Sequence, residues 1–148
     1  MNRRKVSSDQ FRDQLIHQLT TLGEEKKQFL DAYFPVYGQK RNEINKLLTT
    51  YTLQVKKLLE LSDDQLLDTV LIGSRVRVAY LNKPTIDTFI IDHPRLSNLS
   101  GDRISFLSPI GSQLLLSSPG DVVTVETPTG VARMRILEIR FASIRMAS

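Results

Sequence analysis

The N-terminal part of the chain, from Ser8 to Leu61, carries apolar residues at helical spacing. In its second half they fall in steps of four and three, the a/d spacing of a coiled-coil seam. These seam positions are Ile44, Leu48, Tyr51, Val55 and Leu58. The first half has a looser stripe on one helical face at Phe11, Leu15, Leu19, Leu22, Phe29 and Tyr33. The pattern therefore predicts two consecutive helices.

The segment between the two stripes, residues 34–38, contains Pro35 and Gly38, which interrupt helical geometry. If the helices run antiparallel, facing residues should have numbers with a nearly constant sum. The pairs that sum to 73 are Phe29 with Ile44, Leu22 with Tyr51, and Leu15 with Leu58. The sequence thus predicts an antiparallel coiled-coil hairpin with its tip at about 34–38. An arm of about 26 residues would be roughly 39 Å long.

From Ile72 onward the helical period gives way to alternation, which is typical of strands. We predict strands at 75–80, 86–92, 103–107, 122–127 and 131–141, and one short helix from 109 to 116 capped by Ser108. In the last strand Met134 and Ile136 share one face, whereas Leu137, Ile139 and Phe141 lie on the other. Either both faces are buried or a β-bulge near Ile136 shifts the phase, and we favour the bulge.

These elements predict an α+β protein in three parts. Residues 1–61 form a basic tail and the hairpin, residues 62–72 a linker that begins with a helix-capping sequence at Ser62, and residues 73–148 a domain. The domain is expected to be a five-stranded, mostly antiparallel sheet with one short helix.

Composition and charge exclude several classes of function. The chain has no cysteine and only two histidines, His17 and His93, so a thiolate nucleophile, a disulfide and a histidine-rich metal site are not expected. There is no glycine-rich phosphate loop and no apolar run of the roughly 20 residues that a membrane span needs. Residues 1–61 hold 11 Lys/Arg against 7 Asp/Glu, so the net charge of +4 resides there. This excess favours either a solvated arm or an approach to nucleic acid.

Two groups of residues are candidates for contact with a partner. The short helix begins with Ser108, Pro109 and Ile110 and continues with aliphatic residues, which could leave an apolar patch. The predicted hairpin tip gathers aromatic, aliphatic and basic side chains. They are Tyr33, Phe34, Val36, Tyr37, Lys40 and Arg41. The tip residues either seal the end of the hairpin or form a contact surface.

Three motifs of the second half carry a resemblance to a known family. They are Leu-Ile-Gly-Ser-Arg-Val at 71–76, Ile-Ser-Phe-Leu-Ser-Pro-Ile-Gly at 104–111, and Gly-Asp-Val-Val-Thr-Val-Glu-Thr-Pro-Thr-Gly at 120–130. In order and spacing, over about 70 residues, they resemble the C-terminal domain of the GreA/GreB transcript cleavage factors. The resemblance implies an FKBP-like domain without isomerase activity, preceded by an antiparallel coiled coil.

The resemblance also implies a partner and a site. Members of the family bind bacterial RNA polymerase, with the C-terminal domain on the rim of the secondary channel and the coiled coil directed toward the active centre. Their rim-binding loop maps here onto Ser108, Pro109 and Ile110. In the cleavage factors, an Asp-x-x-Glu pair at the tip helps to hold a catalytic magnesium ion.

At the tip the chain departs from the family pattern, because residues 33–42 contain no acid. The nearest acids, Asp31 and Glu43, lie behind the tip, and salt bridges with Lys27 or Lys46 are expected for them. The arm is also shorter than in the cleavage factors, as in Rnk-type relatives. The resemblance therefore implies a polymerase-binding regulator of the secondary channel that does not cleave transcripts efficiently.

Two alternatives remain at this stage. One is a cleavage-stimulating elongation factor that uses Asp31 and Glu43. The other is a protein-interaction module unrelated to polymerase, whose hairpin would dimerise and give a concentration-dependent mass. The leading hypothesis predicts a cytoplasmic monomer without enzymatic activity, cofactor, metal or membrane contact, whose basic hairpin contacts nascent RNA or other nucleic acid.

Overall fold

The computed structural model describes residues 3–94 and 102–142, with side chains from Asp9 onward. The chain divides into two compact units, Met1–Ser62 and Asp63–Ser148. Within the described ranges no helix combines the length and the apolar character needed to cross a bilayer.

The first unit is the predicted helical hairpin. Helix α1 spans Arg3–Gln18, a π-helical turn spans Leu19–Glu24, α2 spans Lys26–Tyr33 and α3 spans Gln39–Leu58. The non-helical tip at 34–38 falls where the proline and glycine predicted it. The start of α1 differs from the prediction, since the helix begins at Arg3 and not near Ser8. Serine inside a helix costs only a few tenths of a kcal/mol relative to alanine, so a capping residue does not force a helix to begin there.

The arms of the hairpin pack antiparallel, and side chains near the start of one arm bond to residues near the end of the other. The hydroxyl of Tyr51 donates to Gln18 Oε1 at 2.5 Å, and Lys26 Nζ donates to Thr49 Oγ1 at 3.0 Å. Most residues of the two apolar stripes are buried between the arms. They include Phe11, Leu15, Leu22, Phe29, Ile44, Leu48, Tyr51 and Val55. Burial of these side chains holds the arms together, because each contributes about 1.5–3 kcal/mol.

The π-helical turn at Leu19–Glu24 contains Gly23. Here the amide of Glu25 donates to the carbonyl of Thr20 at 2.8 Å, a bond that spans five residues instead of four. A side chain at Gly23 would reach ordinary contact distance from Thr52 of the other arm. The turn thus rotates the helix so that Phe29 and Leu30 face α3.

The second unit starts with α4, Asp63–Leu66. Residues 63–72, predicted as a linker, pack in this unit: Leu66, Val70 and Leu71 are fully buried. The amide of Val70 donates to the carbonyl of Ser117 at 2.8 Å, and Leu116 donates back to Val70 at 2.7 Å. The segment therefore belongs to the core of the second unit.

The described part of the second unit holds a sheet of five strands, close to the predicted ones. They are β1 (Ser74–Tyr80), β2 (Ile86–Asp92), β3 (Arg103–Ser105), β4 (Val122–Thr127) and β5 (Gly130–Phe141). The order is β3-β2-β1-β5-β4, and the short helix α5 spans Pro109–Leu114. The α+β class and the five strands are confirmed. The sheet was predicted to be mostly antiparallel, and the exception is β3, which pairs with β2 in parallel and makes the sheet mixed. Only ten residues connect β2 to β3, fewer than the dozen or more that are usual between parallel strands, so the length of the connection did not indicate a parallel pair.

The predicted bulge in β5 is present. Pairing with β1 shifts between Arg77, opposite Glu138, and Val78, opposite Ile136, so Leu137 is the extra residue. Met134 and Ile136 are buried on the core face, whereas Leu137 is exposed. The bulge returns Ile139 to the core side, which resolves the apparent conflict between the two halves of the strand.

Candidate functional site

The start of α5 is built by its capping residue. Ser108 Oγ accepts from the amide of Gly111 at 3.0 Å and donates to the carbonyl of Ser105 at 2.7 Å, so the hydroxyl ties the helix to the end of β3. Proline occupies the first helical position, where a missing N–H costs nothing. Pro109 is exposed and Ile110 is half-buried, so both of these predicted contact residues reach the surface.

Gly111 fixes how closely α5 approaches β3. A Cβ at this position would lie 2.1 Å from the carbonyl oxygen of Ser105 and 2.9 Å from Ser108 Oγ. No side chain fits, because the obstacle at 2.1 Å is a backbone atom that cannot rotate away. Sequence reasoning missed this role, although a glycine inside an otherwise aliphatic helix is an indication of close packing.

A buried ion pair supports the same corner of the sheet. Asp92 at the end of β2, with a side chain only 1% exposed, bonds to the Arg103 guanidinium on β3, which is 16% exposed. The amide of Phe106 donates to the carbonyl of Asp92 at 2.9 Å. Burial raises the pKa of Asp92, and the hydrogen bond from Arg103 opposes that rise. The pair holds β3 on β2 and so positions Ser105 beneath α5.

The predicted aromatic cluster at the hairpin tip divides into a buried and an exposed part. Tyr33 and Phe34 are half-buried, and the Tyr33 ring packs on Phe29 with centroids 4.8 Å apart. Val36 is 80% exposed and Tyr37 is 73% exposed. The first two therefore seal the end of the hairpin, whereas the last two present an apolar and aromatic surface.

Arg41 is part of the tip structure, whereas the neighbouring Lys40 is exposed. The Arg41 side chain is only 10% exposed and pairs with Asp31 Oδ1 at 2.9 Å. It also donates to the carbonyl of Phe34 at 3.0 Å, and its guanidinium lies 4.3 Å from the centre of the Tyr37 ring. One arginine thus fixes the end of α2, the tip loop and the exposed tyrosine.

Each of the two acids behind the tip already has its own partner. Asp31 pairs with Lys27 at 2.7 Å as well as with Arg41, and both hydrogen bonds hold the pKa of Asp31 below its ordinary value. Glu43 accepts from Gln39 Nε2 at 3.2 Å, so the amide takes the place expected for Lys46. The part of the chain that the structure describes contains no group of three or more histidine or acidic side chains placed to hold a metal ion.

Comparison with known proteins shows to which family the second unit belongs. Residues 64–141, more than half of the chain, match the family model "Transcription elongation factor, GreA/GreB, C-term". The chain belongs to the GreA/GreB family.

Individual relatives agree with this assignment. Over 108 residues the chain is 32% identical to transcription elongation factor GreA of Thermoanaerobacter pseudethanolicus, covering 70% of this chain and 69% of that one. It is 31% identical over 90 residues to GreA 1 of Lactiplantibacillus plantarum, covering 61% of this chain and 56% of the relative. The chain thus spans little more than half the length of the latter GreA/GreB protein.

The fold of the GreA/GreB family is also found by comparison of structures. A GreA/GreB elongation factor from Nitrosomonas europaea superposes with a TM-score of 0.58 at 24% identity. The superposition covers 80% of this chain and 93% of the other. The likeness extends over helices as well as the sheet, as the resemblance in sequence implied.

Proposed function

We propose that this chain binds bacterial RNA polymerase at its secondary channel and regulates transcription without stimulating efficient transcript cleavage. Family membership supports the partner, and the tip supports the absence of cleavage. The observation that carries the second part is the state of Asp31, whose carboxylate is already neutralised by Lys27 and Arg41.

The C-terminal unit would dock on the channel rim through Ser108, Pro109 and Ile110. Ser108 makes the local hydrogen bonds that set the start of α5, so its role is to position the other two. Pro109 and Ile110 supply a rigid apolar surface, since proline has little freedom to lose and α5 is clamped at Gly111.

The tip would act by filling space or by sensing what lies in the channel. A divalent cation needs several oxygen ligands that converge on one point. Asp31 is already paired with Lys27 and Arg41, and Glu43 accepts a hydrogen bond from Gln39, so neither carboxylate is free to act as a ligand. What remains exposed is the pair Val36 and Tyr37, which suits apolar contact and stacking. We further propose that the chain acts as a cytoplasmic monomer, with Lys40 near the tip contacting nascent RNA inside the complex.

A cleavage assay on backtracked elongation complexes tests this proposal. Purified polymerase with a 3′-extruded transcript should release no more short RNA in the presence of the chain than in its absence, because the tip brings no free carboxylate to a magnesium ion. Inhibition of nucleotide addition at saturating concentrations of the chain would agree with a channel-filling tip.

The control for this assay is the variant Asp31→Asn/Glu43→Gln. If the two acids have only structural roles, the variant should give the same low cleavage as the unmodified chain. Strong cleavage by the unmodified chain that is lost in the variant would contradict the proposal and favour a cleavage factor that uses Asp31 and Glu43.

The docking assignment predicts that Ile110→Asp weakens binding to polymerase about tenfold or more, since a central interface residue contributes roughly 2 kcal/mol. Binding can be measured by titrating labelled chain with polymerase core enzyme. Ile86→Asp is a matched control, because Ile86 is an exposed isoleucine of the same unit outside α5. Equal affinities for the Ile110 variant and the unmodified chain would exclude this docking surface.

A further inference from the structure

The outer face of the sheet in the second unit is rich in arginine. In β1 Val76 and Val78 are buried, so the alternating side chains of Arg75 and Arg77 point to the opposite, exposed face. In β5 Met134 and Ile136 are buried in the same way. Arg133 and Arg135 therefore share the outer face with the β1 arginines.

The bulge at Leu137 extends this set. Before the bulge the odd-numbered residues of β5 face outward, and after it the even-numbered residues Glu138 and Arg140 do so. Arg140 lies directly opposite Arg75, and Glu138 lies opposite Arg77. Five arginines thus lie on one face of two neighbouring strands.

The register arranges these arginines in one line along the seam between β1 and β5. Successive positions on that face carry Arg133, then Arg135 opposite Ala79, then Arg77, and then Arg75 together with Arg140. Adjacent positions are two residues apart, so each step along a strand is about 6.7 Å and the line is about 20 Å long. Every position along the line therefore carries at least one arginine.

Little negative charge offsets this line. The acids on the same face of β1, β4 and β5 are Glu126 and Glu138, and Glu138 pairs with Arg140 at 3.0 Å. Within the described ranges Arg75, Arg133 and Arg135 form no ion pair with a carboxylate. Arg75 lies directly opposite Arg140, and Glu138 pairs with only one of these two arginines.

The chemistry of the line indicates its ligand. The basic residues on this face are all arginine, whose fork of N–H donors matches a phosphate group. No aromatic side chain lies on this face of β1, β4 and β5, so base stacking contributes nothing and the affinity must come from the phosphates, which carry no sequence information. We propose that the line binds the phosphate backbone of single-stranded nucleic acid without selecting its sequence.

An acidic protein fits this face less well. Protein interfaces concentrate apolar side chains at the centre and charge at the rim. Here the order is reversed: the exposed aliphatic residues Ile86 and Val122 lie on the strands to either side of the seam, at the level of Arg135. A single row of cations is suited to one linear polyanion.

The test uses the full chain, a fluorescent oligouridylate of about 16 nucleotides and no polymerase, so it is independent of the proposed function. Anisotropy titrations at several salt concentrations give the slope of log K against log salt. In Arg133→Gln/Arg135→Gln the slope should become shallower by about 1.4, since each phosphate contact on a single strand contributes about 0.7. Affinity at low salt should fall in parallel.

The matched control is Lys56→Gln/Lys57→Gln, which removes two exposed charges from α3 at the end of the hairpin away from the tip. This variant should keep the slope of the unmodified chain. All variants should show the same unfolding midpoint, because the substituted side chains are exposed. An unchanged slope in the arginine variant, or an equal loss in the lysine variant, would overturn the proposal. Tighter binding of duplex DNA than of the single strand would overturn the assignment to a single strand.

Discussion

Replacing Gly111 with alanine should destabilise the second unit by about 3 kcal/mol or more, which lies beyond the usual range for overpacking. The reason is geometric: the added Cβ would lie 2.1 Å from the carbonyl oxygen of Ser105, and relief requires α5 to move away from β3. Urea unfolding followed by circular dichroism measures the effect as a lower midpoint. Because α5 carries Pro109 and Ile110, the proposed binding to polymerase should weaken as well.

Gly38→Ala is the matched control for this substitution. Gly38 stands just before α3 with φ 171°, and no atom lies within 4 Å of the place that a Cβ would take, so alanine fits there without strain. Its unfolding midpoint should stay near that of the unmodified chain. A Gly111→Ala variant as stable as Gly38→Ala would show that α5 does not pack on Ser105 as closely as described.

Removing the carboxylate in Asp92→Ala should cost about 3 kcal/mol, because the Arg103 guanidinium is then left mostly buried without its partner. The loss should appear as a lower unfolding midpoint and as faster hydrogen exchange in β3. The double variant Asp92→Ala/Arg103→Met should recover part of the stability, since replacing a whole buried pair by apolar groups costs less than breaking it. Additive effects of the two single variants would contradict a direct pair.

Asp92 also makes the stability of the fold depend on pH, and its raised pKa sets the direction. Burial raises the folded-state pKa of Asp92 above its ordinary value of 3.8, so the folded state binds the proton more tightly than the unfolded state. The part of the stability that depends on protonation of Asp92 is therefore complete below pH 3.8 and is lost as the pH rises through the raised pKa. In Asp92→Ala this component of the stability profile should disappear.

The features that the sequence predicted well are those set by local periodicity. The two helices and the tip between them followed from apolar spacing and from two helix breakers, because both arms must bury one face against each other. The bulge near Ile136 followed from a change of phase within one strand, since buried side chains cannot switch faces without an extra residue.

The features that escaped prediction depend on contacts between distant segments. The parallel pairing of β3, the burial of residues 63–72 and the close approach at Gly111 all require strand order, which periodicity does not contain. Arg41 was predicted among the tip residues, which could either seal the hairpin or form a contact surface, and its bonds to Asp31 and the Phe34 carbonyl could not be read from the sequence. The arginine line escaped prediction because the charges of this unit balance when they are counted, and a count does not show which face of the sheet each residue occupies.

The bulge in β5 also limits how this strand can change in length. On the two sides of Leu137 the inward positions have opposite parity, so the strand is two half-strands joined out of phase. Deleting Leu137 would join Ile136 directly to Glu138, and regular alternation would then keep Ile139 and Phe141 inward and Arg140 outward. Deleting any residue between Glu138 and Phe141 would instead turn the remaining residues of that half-strand to the opposite face. Loss of Leu137 should therefore be tolerated during divergence of the family, whereas single-residue deletions within the second half-strand should be eliminated.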